Sequence, residues 1–172
     1  MRTLANRTNI FSAAHLNVMN EDAGTAEVRI QKHENLLTQI VSGLGFNKIE
    51  SREILSEVCM QVKKQYGSYS GTLPFKVWIS KILVRKCIFK ISVVFFSGLE
   101  NAQLHPQTFE SYPIGKSIFE TRHEPIPLSF WIVYLLHNYI GFTEREIAEI
   151  LNTNPLSVRE RLKKALQFIA RT

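Results

Sequence analysis

Apolar positions along the chain recur mostly at intervals of three and four residues rather than two, so the pattern predicts helices and no competing strands. An all-α protein is expected. Val28 to Leu44 reads as a first helix, Ser51 to Tyr66 as a second and Pro74 to about Ile91 as a third, joined by short loops rich in Gly and Asn. Ile126 to Phe142 reads as a further, buried helix. Glu144 to Leu151 (EREIAEIL) is a short amphipathic helix, Asn152 to Asn154 is a turn, and Pro155 opens a last, basic helix.

Helical wheels at 100° per residue sharpen this reading. In the second helix Ile54, Leu55, Val58 and Val62 share one face, while Glu50, Glu53 and Glu57 form a separate narrow strip. That strip is either a solvated face, favoured near a helix N-terminus, or a docking strip for a basic partner helix. In the third helix Phe75, Trp78, Ile79, Ile82 and Phe89 form one apolar stripe. Val77, Val84, Ile88 and Ile91 form a second nearly opposite, with Lys76, Lys81, Arg85 and Lys90 between them. This helix is expected to be covered on two sides. In the last helix Val158, Leu162, Ala165, Leu166 and Ile169 share a face, Ser157, Glu160, Lys163 and Lys164 point away, and Arg159 and Arg161 flank the stripe. Short helix, Asn-rich turn and basic helix together follow helix-turn-helix grammar, with a polar outer face suited to a major groove and its phosphates.

Charge adds organisation. The 172 residues carry a formal net charge of +6, which favours a polyanionic partner. Residues 26–92 hold 11 basic and 5 acidic residues, residues 93–125 hold 2 and 4, and residues 126–172 hold 6 and 4. Two basic blocks are thus separated by a mildly acidic segment with Gly98, Pro106, Pro113, Gly115 and Pro125. The expected organisation is a tail over 1–25, read as mobile, a helical domain over 26–92, a linker over 93–125, and a helix-turn-helix domain over 126–172. The loop from Tyr66 to Pro74 places two tyrosines beside lysines, a combination that stacks unpaired bases.

Other classes fall away. Cys59 and Cys87 lie far apart in apolar patterns, and the five histidines are scattered, so neither a disulfide scaffold nor a zinc site is expected. No hydrolase elbow, metalloprotease helix, phosphate-binding lysine loop or dinucleotide fingerprint occurs. No catalytic constellation, metal, cofactor or small-molecule substrate is predicted. The uncharged run Ile126 to Phe142 contains Pro127, Ser129, His137 and Asn138 and suits a buried helix better than a membrane span. Trp78 to Leu99 carries four cations that insertion would penalise heavily, so no direct membrane insertion is expected.

At this point two blocks together resemble the extracytoplasmic-function sigma factors, small members of the sigma-70 family of bacterial transcription initiation factors. Ser51 to Val62 looks like that family's acidic core-binding helix. Pro74-Phe-Lys-Val-Trp-Ile-Ser-Lys-Ile82 looks like its F-[RK]-x-W-[LI]-x-[RK]-I signature. Gly141 to Leu151 followed by Ser157-Val-Arg-Glu-Arg-Leu162 is similar to its G-[LF]-[ST]-x-x-E-I-A-x-x-L and [ST]-V-[KR]-x-R-L patterns. The ordered pair is what makes the resemblance specific.

The resemblance implies a cytoplasmic, non-enzymatic subunit that binds core RNA polymerase and directs promoter recognition and melting. Glu53 and Glu57, with Glu50 beside them, would meet the polymerase. Tyr69, Lys76, Trp78, Lys81 and Arg85 would neighbour the unwound minus-ten element, and Ser157, Arg159, Glu160, Arg161, Lys163 and Lys164 would face the minus-thirty-five duplex. An anti-sigma factor is a further implied partner. Three positions depart from the family pattern: Ser56 stands for the usual Gln, Arg85 for a frequent Asn, and Phe89 for a common acid. Two other functions fit the same blocks: a stand-alone helix-turn-helix regulator, and a sigma-like module acting mainly by binding an anti-sigma partner.

Overall fold

The computed structural model describes residues 24–97 and 126–170, with side chains described through residue 93 in the first segment. Nearly all of the proposed tail and of the linker lies outside these residues. All regular elements among the described residues are helical. They are α1 (Ala26–Lys32), α2 (Glu34–Gly43), α3 (Lys48–Gln65), α4 (Phe75–Ser97), α5 (Leu128–Tyr134), α6 (Glu144–Leu151) and α7 (Pro155–Ala170). A 3-10 turn, Tyr66–Ser68, follows α3, and α5 runs into a π-helical turn, Leu135–Tyr139.

Helix boundaries follow local chemistry. Asn47 caps α3: its Oδ1 accepts from the Ile49 and Glu50 amides at 2.9 and 3.0 Å, and the Glu50 carboxylate accepts from the Asn47 amide at 3.0 Å. Thr143 and Glu146 form the same reciprocal box at the start of α6. Asn152 ends α6 at φ 52°, a left-handed conformation that Asn tolerates better than most residues.

The first expected helix is two. The chain pinches at His33 (φ −106°, ψ 5°), whose amide donates to the Ile30 carbonyl rather than to the residue four back. His33 Nδ1 lies 2.7 Å from the Arg29 carbonyl oxygen, and the ring sits 5.4 Å from that of Phe75. The break is therefore set by a ring from α4, which the periodicity of α1 and α2 does not encode. The third expected helix is longer than read, continuing to Ser97.

Helix α4 is buried on two sides, as its stripes imply, but the centre of the buried arc differs. Leu83 and Cys87, which belong to neither stripe, are fully buried along with Val77, Ile79 and Val84. Phe89 is 61% exposed, contrary to its assignment to the core stripe. The reason is geometric: α3 packs on one flank of α4 and α6 on another, so the arc between the stripes is the one enclosed. In α7 Val158 and Ala165 are fully buried, but Leu166 is 47% exposed. Phe130 of α5 packs on Phe168 at 5.9 Å, drawing the buried arc of α7 to that side and leaving Leu166 outside.

One continuous apolar core runs through both segments, from Ile40, Ile54 and Val58 through Leu83 to Leu128, Ile132, Leu136 and Ile147. Region 126–142 is a buried element, and among the described residues no helix is long and apolar enough to cross a membrane. Two polar links staple the segments together. Trp131 Nε1 donates to the Gly43 carbonyl at 2.7 Å, and Lys76 Nζ lies 2.8 Å from Glu146 Oε1.

Candidate nucleic-acid interface

On the α4 wheel Trp78, Lys81, Arg85 and Phe89 fall within about 80° of one another, on the side away from the buried arc. Trp78 and Lys81 are partly exposed, and Arg85 is exposed. Tyr69 joins this band from the preceding loop, its ring centroid 4.8 Å from that of Trp78. Four of the five residues expected near unpaired bases thus converge: two rings and two cations. Lys76 does not join them. It lies on the buried side of the helix, ion-paired to Glu146 and with its Nζ 5.4 Å from the Phe142 ring centroid.

The rings of the band are held from beneath. Phe75 lies 5.6 Å from both Tyr69 and Trp78, and Tyr66 lies 6.2 Å from Phe75. The Tyr69 hydroxyl donates to the Leu73 carbonyl across the loop. The guanidinium of Arg29 is buried among these rings, a feature that sequence reasoning missed because a single Arg on a short helix carries no signal of burial.

The acidic strip is solvent-accessible, and its members have partners within the fold. Glu50 serves the helix cap. Glu53 pairs with Lys90 at 2.9 Å, and Glu57 pairs with Lys86. The Lys86 hydrogen bond holds the Glu57 carboxyl below its ordinary value, and the Glu53 hydrogen bond raises the Lys90 ammonium above its own. Both acids are solvent-accessible, yet each is countered by a lysine of α4.

The helix-turn-helix is built by α6 and α7. Asn154 Oδ1 accepts from the Ser157 amide at 2.8 Å, capping α7 at its first turn. Arg159 clasps Glu144 with Nε and Nη2, at 2.7 Å for the shortest contact, and this bond holds the Glu144 carboxyl down. Glu160 and Lys163 are exposed, Lys164 Nζ sits 5.6 Å from the Phe130 ring centroid, and Arg161 and Ser157 are partly buried. Glu160, Lys163 and Lys164 are all exposed, as the wheel suggested, and Arg159 is exposed but oriented by α6.

No protein-family model matches the chain, and no curated protein sequence matches it. A solved structure does: that of CnrH in complex with the cytosolic domain of CnrY, with a TM-score of 0.59 at 13% identity over 85% of each chain. The two chains share a fold. The helical architecture of the described residues is the one that the motif blocks implied. Of the three departures, Ser56 falls within the acidic-helix block, while Arg85 and Phe89 lie on α4 beyond the Pro74–Ile82 block.

Cys59 and Cys87 are free thiols, and burial pushes the Cys87 thiol up to about 12, far from a reactive thiolate. Among the described residues no group of three or more metal-ligating side chains converges.

Glu146 gives the link between the segments a pH dependence. Burial raises its carboxyl, but the hydrogen bonds from Lys76 and from the Thr143 amide and hydroxyl outweigh this, and the net direction is down from 4.5. A carboxyl depressed in the folded state contributes stability above its unfolded value and loses it as pH falls through the depressed one. Acidification below pH 4.5 is accordingly expected to weaken the junction. Glu146→Gln should remove that component while keeping an acceptor for the cap. Its loss at neutral pH should not exceed about 1 kcal/mol, because Lys76 is substantially solvated. Comparison of denaturation midpoints for both proteins between pH 6 and 3.5 checks this: parallel curves would mean the ion pair has no part in the acid sensitivity.

Proposed function

We propose that the chain is a sigma-type factor of bacterial transcription, which binds core RNA polymerase and directs promoter recognition and opening without performing chemistry of its own. The observation that carries this reading is the presence in one fold of two surfaces with the composition that nucleic acid would require. A band of rings and cations (Tyr69, Trp78, Lys81, Arg85) suits unpaired bases, and a helix-turn-helix with Glu160 and Lys163 outward suits a duplex. The fold shared with CnrH supports it. Stacking of a base on an aromatic ring is worth about 1 to 3 kcal/mol, whereas duplex reading depends on base-edge hydrogen bonds and phosphate contacts. The segments 26–92 and 126–172 act as the two reading units, joined through 93–125, in the cytoplasm where the polymerase works.

Geometry adds a requirement. Minus-ten and minus-thirty-five elements lie about 25 base pairs apart, or about 85 Å at 3.4 Å per pair. Lys76 of α4, the helix that carries the first band on its other side, and Glu146 of α6 in the helix-turn-helix are 2.8 Å apart. Both elements cannot be engaged in this closed arrangement, so promoter binding requires the segments to separate. Polymerase supplies the surfaces over which they spread.

Run-off transcription with core polymerase and a library of genomic promoters tests the reading. Specific initiation dependent on the protein is expected, and its absence together with no co-purification of polymerase would overturn it. The acidic strip refines the test. Glu53→Lys with Glu57→Lys is expected to weaken core binding at least tenfold. Lys86→Ala with Lys90→Ala, which uncovers the same acids, is expected to strengthen it. If both pairs weaken binding alike, the strip matters for packing between α3 and α4 and not for docking.

A second reading has one observation behind it: CnrH was captured in complex with the cytosolic domain of CnrY. On that reading the chain acts chiefly by binding an anti-sigma partner. It predicts a stable protein complex with no stimulation of transcription by core polymerase.

A further inference from the structure

The hydrogen bonds made by side chains of the loop between α3 and α4 are local: Ser68 Oγ to the Gln65 carbonyl at 2.7 Å, Tyr69 to the Leu73 carbonyl and Ser70 Oγ to Thr72 Oγ1 at 3.0 Å. They tie the loop to itself rather than to the rest of the fold. Its tip is Ser68, Ser70, Gly71 and Thr72, all exposed; Gly71 takes φ 72°, and a Cβ built at Gly67 or Gly71 would meet no atom within 4 Å. What fixes it lies at its two feet. On one side are Tyr66 and Tyr69, on the other Phe75, the first residue of α4. All three rings surround a single side chain from α1, that of Arg29.

Arg29 is only 4% exposed. Its guanidinium carbon lies 4.1 Å from the Phe75 ring centroid, 5.0 Å from that of Tyr69 and 5.8 Å from that of Tyr66. Its Nη1 donates to the Tyr66 hydroxyl at 3.2 Å, and that hydroxyl donates to the Gly24 carbonyl at 2.6 Å. His33 Nδ1, 2.7 Å from the Arg29 carbonyl oxygen, ties the same residue to the break between α1 and α2. A buried cation costs free energy unless its surroundings compensate, and a leucine would fill such a space more cheaply. A guanidinium offers what leucine does not: a planar face for several rings at once and a directed fork of donors.

We propose that Arg29 is a positioning residue for the base-capturing loop. From beneath, it orients Tyr66, Tyr69 and Phe75 and so places the Tyr69 and Trp78 rings where an unpaired base can stack. Arg29 itself is too enclosed to meet the strand. The functional half of this inference rests on the sigma-type reading; the placement of the loop does not.

The test uses Arg29→Lys, which keeps the charge but loses the planar fork, and Arg29→Met, which fills the space without charge and serves should the lysine variant fail to fold. The first measurement is amide exchange on the protein alone. Exchange at Tyr69, Val77 and Trp78, whose amides bond within the loop and the first turn of α4, should quicken at least tenfold while amides of α3 and α6 stay unchanged. The second is promoter opening by holoenzyme, followed by 2-aminopurine placed in the minus-ten element. Association with duplex promoter should stay within twofold of wild type, and opening should slow at least tenfold. Unchanged exchange at the three amides overturns the proposal, as does an equal acceleration in every helix, which would mark a merely structural role. Faster loop exchange with normal opening overturns the functional half. If the wild-type chain opens no promoter, the sigma-type reading fails and the exchange result alone decides whether Arg29 places the loop.

Discussion

Gly43→Val is expected to force the two helical segments apart. Gly43 is the last residue of α2, and a Cβ there would sit 2.4 Å from Leu135 Cδ1 and 2.9 Å from Leu135 Cδ2. Leu135 is itself buried, in the π-helical turn that follows α5, and it lines a hollow together with Gly43, Trp131 and Ile140, so relief of the clash requires its side chain to turn into that hollow and give up its packing. On an isolated helix, replacing this glycine would add helix stability, by up to about 1 kcal/mol for alanine and less for β-branched valine. Here overpacking should cost about 1 to 3 kcal/mol. Loss of the Trp131 hydrogen bond to the Gly43 carbonyl should add about 1 more. The tertiary terms win, and the net loss should be about 1 to 4 kcal/mol. Because the clash lies at the junction rather than inside either segment, the protein should open before it unfolds. Small-angle scattering checks this: the variant should show a larger radius of gyration at unchanged helix content. An unaltered radius with a lower denaturation midpoint would mean that the segments share one cooperative core that cannot part. If promoter binding requires separation, the same variant should also bind promoter duplex without polymerase more tightly than wild type.

Glu160→Ala is expected to alter which duplex the helix-turn-helix prefers, and Lys163→Ala to weaken all duplexes alike. The argument starts from burial. Val158 and Ala165 lock one face of α7 into the core, and Asn154 caps the helix so that its first turn leads. Near that end Ser157 is partly buried, and Arg159 is held by Glu144. This leaves Glu160 as the exposed polar group best placed for a base edge. A carboxylate accepts from the cytosine amino group, and such contacts discriminate by about 1 to 3 kcal/mol, roughly 5- to 150-fold. Lys163 lies further along on the solvent face and suits a phosphate. Its removal should lower the salt dependence of binding by about one counterion. Lys164 is a poorer probe, because its ammonium covers Phe130 and its loss would also disturb the α5–α7 contact. Salt-titrated binding of the full chain, in the Gly43→Val background, to a duplex library separates the two effects. A Glu160→Ala variant with unchanged preference and a Lys163→Ala variant with unchanged salt slope would mean that α7 docks by another face.

Much of this protein was legible in one dimension because the forces involved act within a few residues. The helical period, the short α6, the N-cap at Thr143, the turn at Asn152 and the start of α7 at Pro155 are settled by neighbours three or four positions away. The faces of α3 were equally plain, since Ile54, Val58 and Val62 recur at four-residue spacing and all three are fully buried. The same holds for the two motif blocks, and with them the fold. Partners distant in sequence decided the rest. Which arc of α4 is enclosed depended on where α3 and α6 landed, so Phe89 lies outside and Cys87 inside. The break at His33 depended on a ring 42 positions further on, the acidic strip on lysines brought over from α4, and Lys76 on a carboxylate from the other segment. Arg29 became a buried cation only because three rings from the α3–α4 region closed around it. A wheel shows that a residue is amphipathic in context, but the identity of what it faces is a property of how whole helices pack, and here that packing brings Trp131 to Gly43 across 88 positions of chain.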